Sequence, residues 1–165
     1  GRGGRLGDAP PVFVLRFLPL AALLTLGACQ STAPMQAAPA PPVGLDHAAL
    51  HVADLGESVA FYEQVFGLEE IPAPGDPTVI RWLGLGPAQL HLIHYDGDVP
   101  PTTKAVHFAL RVADFDALVA RVADLGVPYS DWPGAPATVS VRGDGIRQIY
   151  VQDPDGYWIE VNNVR

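Results

Sequence analysis

Three imidazoles and one carboxylate stand at matched places in this chain, and together they could hold a divalent cation. His47 and His107 each open an apolar run, HAALHV and HFALRV, while His91 and Glu160 sit within LHL and IEV. Nitrogen and oxygen donors of this kind form a hard-to-borderline set suited to Zn, Fe, Ni, Co or Mn. One such metal, held by four protein ligands in an octahedral shell, keeps two positions for water or substrate. There it would polarise a carbonyl or enediolate oxygen, or activate water. A lone carboxylate among apolar strand neighbours is costly to bury, and a cation offsets that cost.

The elements that must position these groups repeat. HAALHVADL at 47–55 returns as HFALRVADF at 107–115, an offset of 60 residues, and self-similarity at a fixed spacing marks a duplicated structural unit. Each copy runs into a helical pattern: Leu55, Val59, Tyr62 and Phe66 in the first, Phe115, Leu118, Val119 and Val122 in the second. Asp54 and Asp114 are placed to cap these helices, Asp54 with Glu57 as its capping-box partner, and Gly67 and Gly126 to end them. Strand-like runs follow at 68–72, 78–84 and 88–95 in the first half. In the second they lie at 127–130, 146–152 and 156–162, with the pairing of 138–142 left open. Asp153-Pro154-Asp155-Gly156 reads as a tight turn between two strands.

Side chains alternate along a strand. Leu50 and Val52 oppose His47 and His51; Phe108 and Leu110 oppose His107 and Arg111. Leu90 and Leu92 oppose His91, Ile159 and Val161 oppose Glu160, and Ile149 and Val151 oppose Gln148 and Tyr150. If the two copies share one topology, all four metal-binding candidates converge on a single concave face. His51 and Arg111 share that face and could bind an anionic substrate group.

The chain has 165 residues, 48% of them hydrophobic, which is ample for one core, and a formal charge of −8. Setting aside Arg2, Arg5, Arg16 and Asp8 of the first 28 residues leaves the remainder still more acidic. Such a body argues against a nucleic-acid partner, which needs a basic face. Cys29 is the single cysteine, so neither an internal disulfide nor a Cys-rich zinc site is expected. Ahead of it, Arg16 and the apolar FLPLAALLTLG at 17–27 are shorter than the ~20 residues of a membrane span and read as a secretory signal. Leu26-Gly27-Ala28-Cys29 resembles the lipobox of bacterial lipoproteins. That resemblance implies a signal peptide at 1–28, a lipidated Cys29, and an anchor in the bacterial cell envelope. Gln30 after the cysteine favours the outer membrane, facing the periplasm. Residues 29–43, rich in Ala and Pro, then read as a tether.

The segments DHAALHVADLGESVAFYEQVFGL at 46–68, QLHLI at 89–93, VHFALRVADFDAL at 106–118 and RQIYVQDPDGYWIEVN at 147–162 together resemble the vicinal oxygen chelate superfamily. Its members include glyoxalase I, fosfomycin-resistance enzymes, extradiol dioxygenases and bleomycin-resistance proteins. The resemblance covers about residues 44–163 of a domain that spans 44–165. It implies an α+β fold of two βαβββ modules, 44–95 and 105–165, forming a curved eight-stranded mixed sheet that encloses a metal, with helices outside. It also implies His47, His91, His107 and Glu160 as ligands of one divalent metal. The family varies at the second of these positions, so His91 is either a ligand or a residue set just behind one. Tyr150 matches a substrate-contacting tyrosine of the fosfomycin-resistance relatives, with Gln148 as its neighbour on the same face.

The activity so implied is that of a metal-dependent enzyme on a small oxygenated molecule, with isomerase or lyase chemistry favoured and Glu160 shuttling a proton. The alternatives are a metal-free drug-binding protein and an extradiol-type dioxygenase. In this superfamily the site closes either within one chain or across a homodimer.

Overall fold

The computed structural model describes residues 43–99 and 102–165. The expected signal peptide, Cys29 and nearly all of the tether lie outside these residues.

Each half builds the repeated unit. The first contains β1 (His47–Val52), α1 (Leu55–Phe66), β2 (Glu70–Ile71), β3 (Ile80–Leu85) and β4 (Ala88–His94). The second contains β5 (His107–Arg111), α2 (Phe115–Asp124), β6 (Tyr129–Ser130), β7 (Ser140–Val141), β8 (Arg147–Gln152) and β9 (Trp158–Asn162). Both helices begin where a side-chain cap satisfies an orphan amide. Asp54 Oδ1 accepts from Glu57 N at 2.9 Å, and Asp114 Oδ1 accepts from Ala117 N at 3.0 Å. Gly67 closes α1 in the left-handed conformation that a residue with Cβ adopts only at a cost.

The strands order as β1-β4-β3-β2 and β5-β9-β8-β6, with β7 against β8. In each sheet the first strand runs parallel to the last, and the remaining pairs are antiparallel. The α+β fold of two repeated modules is as expected, with its strands divided between two sheets and not joined in one of eight. Among the described residues there are nine strands in two sheets, and no strand pairs across the halves. The ninth, β7, arises because Asp144 turns the chain so that Arg142 and Ile146 bond each other, which brings Ser140 and Val141 against β8.

One apolar cluster serves both halves. Leu50, Val52, Leu90 and Leu92 from the first sheet join Ile149, Val151, Ile159 and Val161 from the second, with Val59, Tyr62, Leu118 and Val122 from the helices. These are the sets assigned to the helix side by alternation, so each sheet turns its other face, with His47, His91, His107 and Glu160, away from this core.

The turn at 153–156 ties the halves together. Asp155 accepts from Ala53 N at 2.8 Å and from the Ser58 hydroxyl at 2.9 Å, and Asp153 Oδ2 accepts from the Tyr62 hydroxyl at 2.7 Å. Asp153 is buried. Desolvation, and then the nearby Asp155 charge, push its carboxyl up to about 6, despite hydrogen bonds from Tyr62, Tyr157 N and Asp155 N that oppose the shift. A raised carboxyl favours the folded state while protonated, and that contribution is lost as the pH climbs through about 6. Relative to Asp153→Asn, the wild type should therefore lose about 1 kcal/mol of unfolding free energy between pH 5 and 7. Urea titrations of both proteins across that range would measure it, and parallel pH profiles would refute it.

Candidate metal centre

The four candidate ligands resolve into two pairs. In the first half, His47 and His91 stack with ring centroids 4.2 Å apart and planes inclined by 11°. In the second, His107 Nε2 lies 3.4 Å from Glu160 Oε2. Among the described residues no three His, Cys, Asp or Glu side chains gather in a way that could hold an ion. Of the two closures the resemblance allows, within one chain or across a homodimer, the described residues of one chain do not bring all four together. Alternation places each residue on the correct face of its own sheet, but the two faces do not meet inside one chain.

The His107–Glu160 pair has the geometry of two neighbouring ligands. Donors about 2.1 Å from a shared cation in octahedral or tetrahedral geometry sit about 3.0–3.4 Å apart. His107 Nδ1 donates to the Lys104 carbonyl at 2.8 Å, which fixes the tautomer and leaves the Nε2 lone pair toward Glu160. Glu160 is 7% exposed. Its Oε2 accepts from the Tyr150 hydroxyl and its Oε1 from Asn162 Nδ2, each at 2.8 Å, with Arg142 Nη1 3.8 Å from Oε1. Strand register explains this: Tyr150 on β8 lies directly opposite Glu160 on β9. Burial, followed by the hydrogen bond to Glu160, holds the Tyr150 phenol well above its ordinary value, so it remains a proton donor through neutral pH. Gln148 Nε2 donates to the same hydroxyl at 3.1 Å.

In the first half, His47 Nδ1 donates to Asp46 Oδ2 at 2.7 Å, again leaving Nε2 for a ligand role. His91 is 8% exposed. Burial first, then the neighbouring His47, lower its affinity for a proton. Its Nε2 donates to Gln89 Oε1 at 2.8 Å, and its second ring face is covered by Trp82 at 4.1 Å.

The proposed anion-binding residues lie apart from both pairs. His51 stacks on Tyr95 at 4.6 Å, and Arg111 is exposed at the end of β5, opposite Asn162. Three neighbours of the second pair escaped sequence reasoning. Lys104 Nζ lies 4.7 Å from the Trp158 ring centroid and 5.4 Å from that of Tyr150, while donating to Ser130 and to the Asp131 carbonyl. Trp132 meets His107 and Tyr150 edge-on. Arg142 reaches Glu160 from β7's hairpin. All three come from irregular segments where periodicity gives no signal. Beside this cluster a cavity of about 250 Å³ is walled by Pro128, Tyr129, Pro136, Tyr150, Gln152 and Trp158.

This fold defines a class. The chain belongs to the Glyoxalase/Bleomycin resistance protein/Dioxygenase superfamily, whose family model matches residues 44–161. Among relatives, it is 25% identical to the fosfomycin resistance protein FosX of Listeria innocua, over 72% of this chain and 88% of that protein. It is 30% identical to lactoylglutathione lyase GLX1 of Arabidopsis thaliana, over 70% of this chain and 42% of that one. Among solved structures, the oxidase ChaP-H2 superposes with a TM-score of 0.64 at 25% identity, covering 76% of this chain and 96% of that one.

The Tyr150 network sets up a comparison. Tyr150→Phe strips a donor from Glu160 and a partner from Gln148 Nε2, and should cost about 1–3 kcal/mol. Gln148→Met should cost less, because Gln148 Oε1 is already buried without a hydrogen bond. Urea denaturation of the two variants would check the order.

Proposed function

We propose that the protein is a divalent-metal-dependent enzyme acting on a small oxygenated metabolite by proton-transfer chemistry of the isomerase or lyase kind. We propose further that its site is completed between two copies of the chain. The observation that carries this is the His107–Glu160 pair, 3.4 Å apart, with the far nitrogen of the imidazole anchored to a carbonyl and both carboxylate oxygens held by hydrogen bonds. Neutral imidazole nitrogens and a carboxylate fit a divalent cation of the Zn, Fe, Ni, Co or Mn group. When bound, such an ion supplies a Lewis acid for two neighbouring substrate oxygens.

The chain's own groups do the rest. Glu160, the buried carboxylate, is the base that takes and returns a substrate proton. Tyr150 keeps its hydroxyl proton and directs it at Glu160, so it fixes the carboxylate's orientation in both protonation states. The aromatic-walled cavity beside Tyr150 would exclude water around the body of the substrate.

Two donors are too few for a stable site, and His47 sits on the opposite half with its Nε2 available. Closure across a homodimer, with His47 of the partner subunit meeting His107 and Glu160, supplies the missing nitrogen. The purified protein should bind about one divalent metal per chain by elemental analysis, and His107→Ala should lose it. Mixing His47→Ala with His107→Ala chains should restore metal to one site of each heterodimer. Full loading of His107→Ala alone would remove this pair from the site, and mixing without recovery would rule out exchange between chains.

A second reading, an extradiol-type dioxygenase, is favoured by the likeness to the oxidase ChaP-H2. Oxygen uptake with catechols in the presence of ferrous iron would select it. A protein that takes up no metal yet gains thermal stability from a small ligand would instead be a binding protein.

We infer that the enzyme is held on a membrane through lipid on Cys29, from the Arg16-led apolar run that ends in Leu26-Gly27-Ala28-Cys29. In bacterial cells, Cys29→Ser should abolish incorporation of labelled palmitate and move the protein from the membrane to the soluble fraction.

A further inference from the structure

Strand register gives His91 the place in the first half that Glu160 holds in the second. Ala49 on β1 faces His91 as Ala109 on β5 faces Glu160, and Trp82 on β3 faces His91 as Tyr150 on β8 faces Glu160. By that symmetry alone, His91 would be a fourth ligand.

The ring geometry breaks the symmetry. The lone pair of an imidazole nitrogen lies in the plane of the ring, so a cation it ligates must lie close to that plane. The His47 and His91 planes are inclined by 11° and stacked at 4.2 Å. Planes so nearly parallel do not meet within a metal–nitrogen distance of about 2.1 Å from either ring. One cation cannot bind both. Turning His91 aside would strip it from Trp82, whose plane lies within 2° of its own, and would break its hydrogen bond to Gln89. His47 is more open and is already oriented by Asp46 in the manner of a metal-bound histidine.

We propose that His91 is a positioning residue and not a ligand. It is the middle ring of a Trp82–His91–His47 column and fixes the plane in which His47 offers Nε2 to the cation. This rests on the metal-dependent reading above. It reduces the protein donors to His47, His107 and Glu160. A six-coordinate ion would then keep three positions for water and substrate, enough for two vicinal substrate oxygens together with a water.

The test separates shape from ligation. Zn²⁺ binding is measured by calorimetry on the purified protein and on His91→Phe, His91→Ala and His47→Ala, with folding of each verified by circular dichroism. His91→Phe keeps a flat ring in the column but has no nitrogen. It should bind Zn²⁺ at wild-type stoichiometry, with Kd within about threefold. His91→Ala should bind about 10–100-fold more weakly, and His47→Ala should lose the ion. A folded His91→Phe that loses Zn²⁺ as completely as His47→Ala would make His91 a ligand and overturn the proposal. A His91→Ala protein binding as tightly as the wild type would overturn its positioning role. Zn²⁺ failing to bind the wild type would overturn the metal reading itself, a distinct result. A measurement on the wild type needs no variant to fold: loaded with Co²⁺, it should show two strongly shifted, exchangeable imidazole N–H resonances in proton NMR. Three would count His91 among the ligands.

Discussion

The relation between the two halves depends on two carboxylates from one turn. Asp155 receives the Ala53 amide and the Ser58 hydroxyl, and Asp153 receives the Tyr62 hydroxyl. Ala53 precedes the cap of α1, so the Asp155 charge lies at the positive end of that helix. The turn joins β8 to β9, the strands that carry Tyr150 and Glu160, while α1 follows directly from β1, which carries His47. The donors of one half are thereby registered against those of the other through a polar clamp beside the shared apolar core. The clamp is made of groups that tolerate no apolar replacement: a buried carboxylate whose only side-chain donor is a phenol leaves a desolvated charge if the phenol is removed.

Much of this was legible in the residues. The duplicated HxALxVAD motif located both helices and both leading strands, because the aspartate that closes each motif is also a helix cap. Alternation of small or polar side chains with Leu, Val and Ile assigned the faces correctly, since a strand has only two. The Asp-Pro-Asp-Gly turn was recognised as a turn, but its role between the halves was not, because its partners Ala53, Ser58 and Tyr62 are about a hundred residues earlier and share no pattern with it. Lys104, Trp132 and Arg142 stand in linkers and hairpin loops, where spacing carries no directional information.

The orientation of one sheet relative to the other was equally hidden. Periodicity says which residues share a face, not where that face looks once the two units pack. Here the apolar faces of both sheets claimed the common core, and the polar faces were left to look elsewhere. The duplication nonetheless shaped two similar constellations: a leading-strand histidine, a donor on the last strand, and an aromatic residue opposite that donor. In the second half the aromatic is a phenol and donates to Glu160. In the first it is an indole and covers His91. Two differences at corresponding positions, Glu160 against His91 and Tyr150 against Trp82, fit one copy to holding a charge and the other to stacking.

The strands that begin each half, β1 and β5, lie at the ends of their sheets, and among the described residues each pairs on one side only. Backbone amides and carbonyls along such a margin invite a further strand. His47 and His107 sit on these two margins, so whatever seals this open backbone also governs access to the proposed metal ligands. On the proposed two-copy metal site, ordinary mass action would couple assembly to occupancy: in dilute solution the apo chains would separate, and an added cation would drive them back together.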